Sequence, residues 1–364
     1  MNTDMIRVGV IGCGLIAQTM HLPVLRELAE CHIEAVCDIS PGTASEVARR
    51  YGVAKVYYDH RDLLADPEID AVALLTYDHG DVLVDVLRAG KHVLVEKPLA
   101  FTTEEAERII DAARDSDVVS MVGYMKLYDP GVEFAAEWMR KAGEPRSVQV
   151  HDFGGRIQAL HRHDILPVRV DDLPPVESDR TKKFSPRVEE RIADALGDSH
   201  AGYAELFSKV LMLGCHDMAV LRFVVGGPVG VRHAQPVGKA RALAVLELEN
   251  GAPCVFEVGV GPHHGWWDEH LTVYADREEM RLEFGNPFYP YQPTEVRLKS
   301  GENGVPSTNS VKASHDFGFR REWLHFAECI RTGKTPRTPL ADGLREIELA
   351  LDIVRAMPPA PGRP

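Results

Sequence analysis

The stretch "IRVGVIGCGLIA" (6–17) constrains this chain more than any other feature. An apolar run ends at Gly12, and a helix-period pattern, "LIAQTMHLPVLRELAE", begins almost at once. A buried strand that turns directly into a helix needs residues without a Cβ at the turn. The Gly12-x-Gly14-x-x-Ala17 spacing predicts the phosphate-binding turn of a dinucleotide fold. Gly12 makes the bend, Gly14 leaves the backbone open to a pyrophosphate, and Ala17 lets helix approach strand. Leu15 and Ile16 carry the turn into the helix, whose free N–H groups favour phosphate. Roughly twenty residues on, Asp38 closes the second apolar run, "IEAVCD", where a carboxylate can accept the ribose hydroxyls. A 2′-phosphate there would meet a like charge, and no arginine follows in "CDISPG". NAD is therefore expected ahead of NADP.

The next hundred residues repeat the strand-then-helix rhythm. "DAVALLT" (70–76), "KHVLVE" (91–96) and "VVSMVG" (118–123) are apolar runs separated by helical stretches. Ser40-Pro41 and Thr102-x-x-Glu105 read as helix starts, the second with capping-box spacing. Buried runs alternating with helices predict a parallel sheet covered on both faces. Ligands of such sheets sit at the carboxyl ends of the strands, and "VLVEKPLA" (93–100) puts Glu96 and Lys97 at one of those ends.

Beyond residue 123 the rhythm changes. A helical segment (130–142) leads to the strand "RSVQVHDFG", then to a polar, proline-containing stretch over 155–200. A long helix (203–225) stops at Gly226-Gly227-Pro228, and strand-like alternation dominates 231–299, with a hairpin turn at Asn250-Gly251. This half reads as an α+β domain with an antiparallel sheet and helices on one side. The expected division is 1–123, a nucleotide-binding domain; 124–340, a substrate and oligomerisation domain in which 155–200 is a lid or a surface insertion; and 341–357, an amphipathic helix packing back on the core.

Several function classes are excluded. A net charge of −14 with no basic run argues against nucleic acid as a partner. No apolar stretch approaches the roughly 18 residues of a membrane helix, and "MNTDM" leads straight into the first strand without a signal-like core, so a cytoplasmic location is expected. Six scattered cysteines without a C-x-x-C pair predict reduced, core-filling thiols. His161/His163 and His263/His264 offer no third ligand at a defined spacing, so no metal is expected.

With "GVIGCGLIAQTMHLPVL", "CDIS", "AGKHVLVEKPLA", "VGYMKLYDP" and "GCHDMAVLRFVVGGP" in view, the chain resembles the Gfo/Idh/MocA oxidoreductases, the glucose–fructose oxidoreductase and inositol dehydrogenase group, over nearly its whole length. The resemblance implies an N-terminal Rossmann domain joined to an open-faced, mainly antiparallel sheet domain, an α/β plus α+β fold. It also implies hydride transfer between a nicotinamide and a secondary alcohol or ketone of a sugar, cyclitol or similar metabolite. Pairing through the C-terminal sheet into homodimers or homotetramers is implied as well. Matched to the family motif, Lys97 exchanges a proton with the reacting hydroxyl, Glu96 contacts the nicotinamide ribose, Lys97–Pro98 is a cis peptide, and His216 assists catalysis or positions substrate.

The chain also departs from the pattern. Family members of the inositol-dehydrogenase kind carry an aspartate four residues before the histidine, on the same helix face; here it is Met212, and Ala219 replaces another common aspartate. Asp217 is adjacent to His216, about 100° around the helix, and does not simply inherit the role. Thr76-Tyr77-Asp78 stands where Thr-Pro-Asn is common, with Asp81 in place of a histidine; Thr76, Tyr77 and Asp78 are still expected to border the nicotinamide. Lys126 and Tyr128 match a segment that lines the substrate pocket, with core packing as the plain alternative for Tyr128. Asp268 and His270 alternate with Glu269 and share a strand face, where Asp268 replaces the missing carboxylate or belongs to a subunit contact. Two other functions remain open: a non-catalytic NAD- or sugar-sensing regulator, and reduction of an imine or enone in a less polar pocket.

Overall fold

Valines and leucines with no accessible surface explain the first sheet. Val8, Val10, Val36, Val72, Leu74, Leu94, Val95 and Val122 are all fully buried, the pattern of strands covered on both faces. In the computed structural model, which describes residues 5–154, 167–174, 185–260, 266–302 and 305–360, these residues lie on five strands of a six-stranded sheet. Its strands are β1 (Ile6–Ile11), β2 (Cys31–Cys37), β3 (Lys55–Tyr57), β4 (Ala71–Leu74), β5 (His92–Glu96) and β6 (Ser120–Gly123). All neighbours pair in parallel, in the order β3-β2-β1-β4-β5-β6. The order reverses between β1 and β4, which opens a crevice at their carboxyl ends.

Helices α1 (Leu22–Glu27), α2 (Pro41–Tyr51), α3 (His60–Leu64), α4 (Gly80–Arg88) and α5 (Thr103–Arg114) connect the strands. Ser40 Oγ accepts the Thr43 N–H at 3.1 Å to start α2. At α5, Thr102 Oγ1 accepts the Glu105 N–H while Glu105 Oε2 accepts the Phe101 N–H, both at 3.2 Å. The helical run before α1 contains a π turn, Ala17–His21, all of it buried. Such turns insert one residue and re-aim the side chains beyond it. The short β3 and α3 carry too few residues for a readable period and were not expected.

The second unit is built on an eight-stranded sheet. After α6 (Pro130–Ala142) come β7 (Ser147–Gly154), α7 (Pro186–Leu196) and the long α8 (Ala204–Val225). Then follow β8 (Pro228–Val237), β9 (Arg241–Leu248), β10 (Pro253–Val260), β11 (Asp268–Tyr274), β12 (Glu278–Glu283), β13 (Glu295–Glu302) and β14 (Val305–Val311). The order is β14-β13-β12-β11-β7-β10-β9-β8, antiparallel throughout except for the parallel pair β7–β10. Ala242, Ala244, Leu246 and Leu248 bury one face of β9, and α8 lies against that face of the sheet. A Cβ on Gly214 would come within 3.2 Å of Phe256, so helix and sheet pack closely there.

Helices α9 (Gly318–Thr332) and α10 (Leu340–Arg355) complete the chain. By contact, one unit comprises residues 1–123, 162–188 and 322–345, and the other 124–161, 189–321 and 346–364. Residues 322–345 thus group with the nucleotide-binding unit and not with the 124–340 domain expected from the sequence. The reason is local: the Val122 N–H donates to Thr338 O at 2.9 Å and Thr338 Oγ1 donates to Val122 O at 2.7 Å, covering the β6 edge. Of the stretch expected to form a lid, 155–166 and 175–184 lie outside the described residues, and 186–196 is α7. No helix among the described residues is long and apolar enough to cross a membrane. All six cysteines are buried and free of disulfides.

Candidate active site

The turn after β1 is shaped by backbone, not side chains. Gly12 has φ +95°, and a Cβ there would fall 2.9 Å from Leu75 C and Thr76 N, across the switch point. Gly14 is exposed, with nothing within 4 Å of where its Cβ would be. Leu15 and Ile16, half-exposed, follow it, and Ala17 is fully buried. Asp38 is brought onto this turn: Oδ2 accepts the Cys13 N–H at 2.8 Å and Oδ1 accepts the Ser40 N–H at 2.9 Å. Burial pushes its carboxyl up, against the two hydrogen bonds that pull it down. Each oxygen retains a lone pair for a further donor. These residues fit a dinucleotide: an open turn, and a carboxylate already oriented beside it.

At the end of β5, Glu96 is held from both sides. Oε1 lies 2.9 Å from His21 Nε2, and Oε2 accepts the Lys97 N–H at 3.0 Å. Trp323 Nε1–H donates to His21 Nδ1 at 3.0 Å, so Nδ1 is an acceptor and the proton sits on Nε2, pointing at Glu96. Burial alone would raise the Glu96 carboxyl; the His21 hydrogen bond and the Lys97 charge outweigh it and hold Glu96 below the usual range. Glu322 behaves oppositely. It is fully buried, neither oxygen has a hydrogen-bond partner among the described residues, and burial followed by the charge of Glu96 lifts its carboxyl well above the usual range. The surroundings thus pull the Glu96 carboxyl down and push that of Glu322 up.

The turn that carries Lys97 is clamped. Lys97–Pro98 is a cis peptide. His79, buried at the start of α4, places Nε2 2.9 Å from Pro98 O and 3.2 Å from Leu99 O, and Nδ1 2.8 Å from Thr76 O. Gly343 of α10 approaches so closely that a Cβ would sit 2.5 Å from Leu99 Cβ. Lys97 itself is half-buried. Thr76 and Tyr77 lie beside this turn, the Tyr77 ring 5.2 Å from that of Phe101.

In the second unit, His216 and Met212 are half-exposed residues one turn apart on α8, and the His216 ring meets Tyr124 edge-on at 6.1 Å. Asp217 points elsewhere. It is 2% exposed and joins Asp152, Glu269 and Lys126 in a buried cluster, with ligand atoms of the three carboxylates within 4.8 Å of one another. The Lys126 ammonium bonds Glu269 directly and stands over the Phe284 ring at 4.9 Å. Trp267 Nε1–H donates to Glu269 Oε2 at 2.6 Å. Burial works against the Lys126 charge, but Glu269, Asp217 and Asp152 hold its pKa above the ordinary value. Burial, then the charges of Glu269 and Asp152, push the Asp217 carboxyl well above its ordinary value.

A family model for oxidoreductases with an NAD-binding Rossmann fold matches residues 6–124, and the model of their C-terminal alpha/beta domain matches 209–359. An inositol 2-dehydrogenase 2 from Saccharopolyspora erythraea is 35% identical over 94% of this chain and 90% of its own length. The chain belongs to the Gfo/Idh/MocA oxidoreductase family. A myo-inositol 2-dehydrogenase of Thermotoga maritima is 32% identical, over 34% of this chain and 37% of that relative. Among solved structures, the 3-ketoreductase KijD10 from Actinomadura kijaniata in complex with NADP matches with a TM-score of 0.74, covering 98% of both chains at 20% identity, a likeness of fold. As a member of the Gfo/Idh/MocA family the protein is an NAD(P)-dependent oxidoreductase.

Several expected residues of this Gfo/Idh/MocA chain are placed differently from the sequence reading. Lys126 and Tyr128 are 4% and 2% exposed, so Lys126 is committed to Glu269 and Tyr128 to the core. Asp268 lies on the opposite sheet face from Glu269, 3.5 Å from His151 Nε2, because strand residues alternate. It is therefore not grouped with Lys126 and Asp217. His263 and His264, like His161 and His163, lie outside the described residues. His21, His79, Glu269, Glu322 and Trp323 were missed. A histidine inside the helix that follows the glycine turn was the one legible hint.

Proposed function

We propose that the protein interconverts a secondary alcohol and the matching ketone on a sugar- or cyclitol-like molecule, using NAD(H), with Lys97 in proton transfer. The observation that carries this reading is the Glu96–Lys97 turn at the carboxyl end of β5, pinned by His21, His79 and Gly343 in the same unit as the Gly12–Asp38 cradle. When bound, NAD accepts the hydride from the carbinol carbon. Gly14 leaves the turn open to the pyrophosphate, and Asp38 accepts ribose hydroxyls. Glu96, ionised and oriented, accepts from the nicotinamide ribose. Lys97, as the free amine, takes the hydroxyl proton in oxidation and returns it as ammonium in reduction. His216, half-exposed on α8, positions the substrate.

The relatives named above are inositol 2-dehydrogenases, and the similar structure is a 3-ketoreductase, which supports a polyol or keto-sugar substrate. Met212, half-exposed one turn from His216, favours a second reading within the same chemistry: a less polar ketone, imine or enone. We also assign the open face of the second sheet, with His151, Glu257, Asp268 and His270, to pairing between copies of the chain. A panel of cyclitols, sugars, nucleotide sugars, imines and enones, read by absorbance of the reduced nicotinamide, tests the reading. Turnover of a polyol or keto-sugar supports it; binding of NADH without turnover of any panel member points to a sensor instead.

A further inference from the structure

Residues 167–172 lie along the first unit at the carboxyl end of β2. Gln18 grips the start of this segment twice: Nε2–H donates to Val168 O at 2.8 Å, and Oε1 accepts the Val168 N–H at 2.8 Å. Two residues on, the Val170 N–H donates to Thr43 Oγ1 at 3.1 Å. The Asp172 carboxylate then closes on the start of α2. Oδ1 lies 2.5 Å from Ser40 Oγ, and Oδ2 accepts the Gly42 N–H at 2.6 Å. Ser40 Oγ is also 2.7 Å from Thr43 Oγ1, but a hydroxyl has one proton and the carboxylate is the stronger acceptor. Gly42 makes the docking possible: a Cβ there would fall 2.6 Å from Val170 Cγ1 and 2.9 Å from Asp172 Oδ2.

The same donors have an obvious competitor. Ser40 gives its backbone N–H to Asp38, so its hydroxyl and the Gly42 N–H stand directly beside the carboxylate read as the ribose ligand. A hydroxyl and a backbone N–H at a helix start are what a phosphate takes. Here the chain's own carboxylate takes them.

We propose that Asp172 is a second coenzyme-specificity residue. Docked on Ser40 and Gly42, it fills the anion position that a 2′-phosphate needs and repels that phosphate, leaving Asp38 to accept the ribose hydroxyls. Discrimination by a repulsive element built against the competitor is a general route to specificity. The inference rests on the reading of a nicotinamide dinucleotide site at Asp38.

Titration of the full chain with NADH and with NADPH, followed by fluorescence, tests it in wild type, Asp172→Asn and Asp172→Ala. Asp172 is exposed, so neither substitution threatens the core. The NADPH-to-NADH affinity ratio is expected to rise about tenfold in Asp172→Ala, the scale of one removed like charge. Asp172→Asn, which keeps the side-chain shape without the charge, should move the ratio the same way. Because the repulsion is screened, the difference between wild type and Asp172→Asn should shrink as salt is raised. A wild type that prefers NADH, with the ratio unchanged in both variants, overturns the role of Asp172 alone. A wild type that binds NADPH as tightly as NADH overturns it too, and one that binds neither overturns the dinucleotide site as well.

Discussion

Glu96 and Glu322 are two buried carboxyls whose surroundings drive them apart. Glu96 accepts from His21 and from the Lys97 N–H, whereas Glu322 has neither donor nor neighbouring cation among the described residues. The sign of the consequence follows from proton binding. Above about pH 4.5, the ordinary value for a glutamate, the unfolded chain releases the Glu322 proton and the folded chain keeps it. That contribution to stability is complete below this pH and is lost as pH rises toward the folded pKa. Glu322→Gln, which cannot ionise, should therefore gain stability over wild type with rising pH, by up to about 1.4 kcal/mol per unit. Urea unfolding between pH 5 and 8 reads the gap; parallel curves would show that Glu322 does not hold its proton. The buried Lys126 carries the opposite risk. Lys126→Ala leaves Glu269 charged beside Asp152 with no counter-ion from that position, and should cost about 3–5 kcal/mol. A loss under about 1 kcal/mol, the worth of an exposed pair, would contradict the buried ion pair.

At the scale of elements, caps and turns were the most legible parts of the chain. Ser40 and Thr102 start their helices as their spacing predicts, and Asn250-Gly251 turns the β9–β10 hairpin, Gly251 with φ +79°. Thr102→Ala should lower stability by about 1 kcal/mol, seen as a small drop in Tm; no change would mean that the Glu105 N–H finds water as good a partner. The positions of Gly12, Asp38, Glu96 and Lys97 were readable for the same reason: each closes or directly follows an apolar run. The residues that brace them were not, because their partners come from far along the chain. His21 meets Glu96 from the end of the π turn, and Trp323 reaches His21 from α9. For β11, alternation said that Asp268 and His270 share a face opposite Glu269, but not which face is buried. Pairing with β7 decides that: Glu269 stands opposite Asp152 on the covered side.

The whole molecule divides its chemistry. Coenzyme determinants and Lys97 belong to one unit, and His216, Met212 and the Lys126 cluster to the other. Residues 322–345 return to brace the first. Family membership fixes the class of chemistry. The most direct measurement compares wild type with Lys97→Ala on a compound that wild type turns over, recording both kcat and the NADH dissociation constant. Proton transfer by Lys97 predicts a fall in kcat of about 10²–10⁴-fold with NADH affinity retained. Equal turnover in the variant would contradict that role.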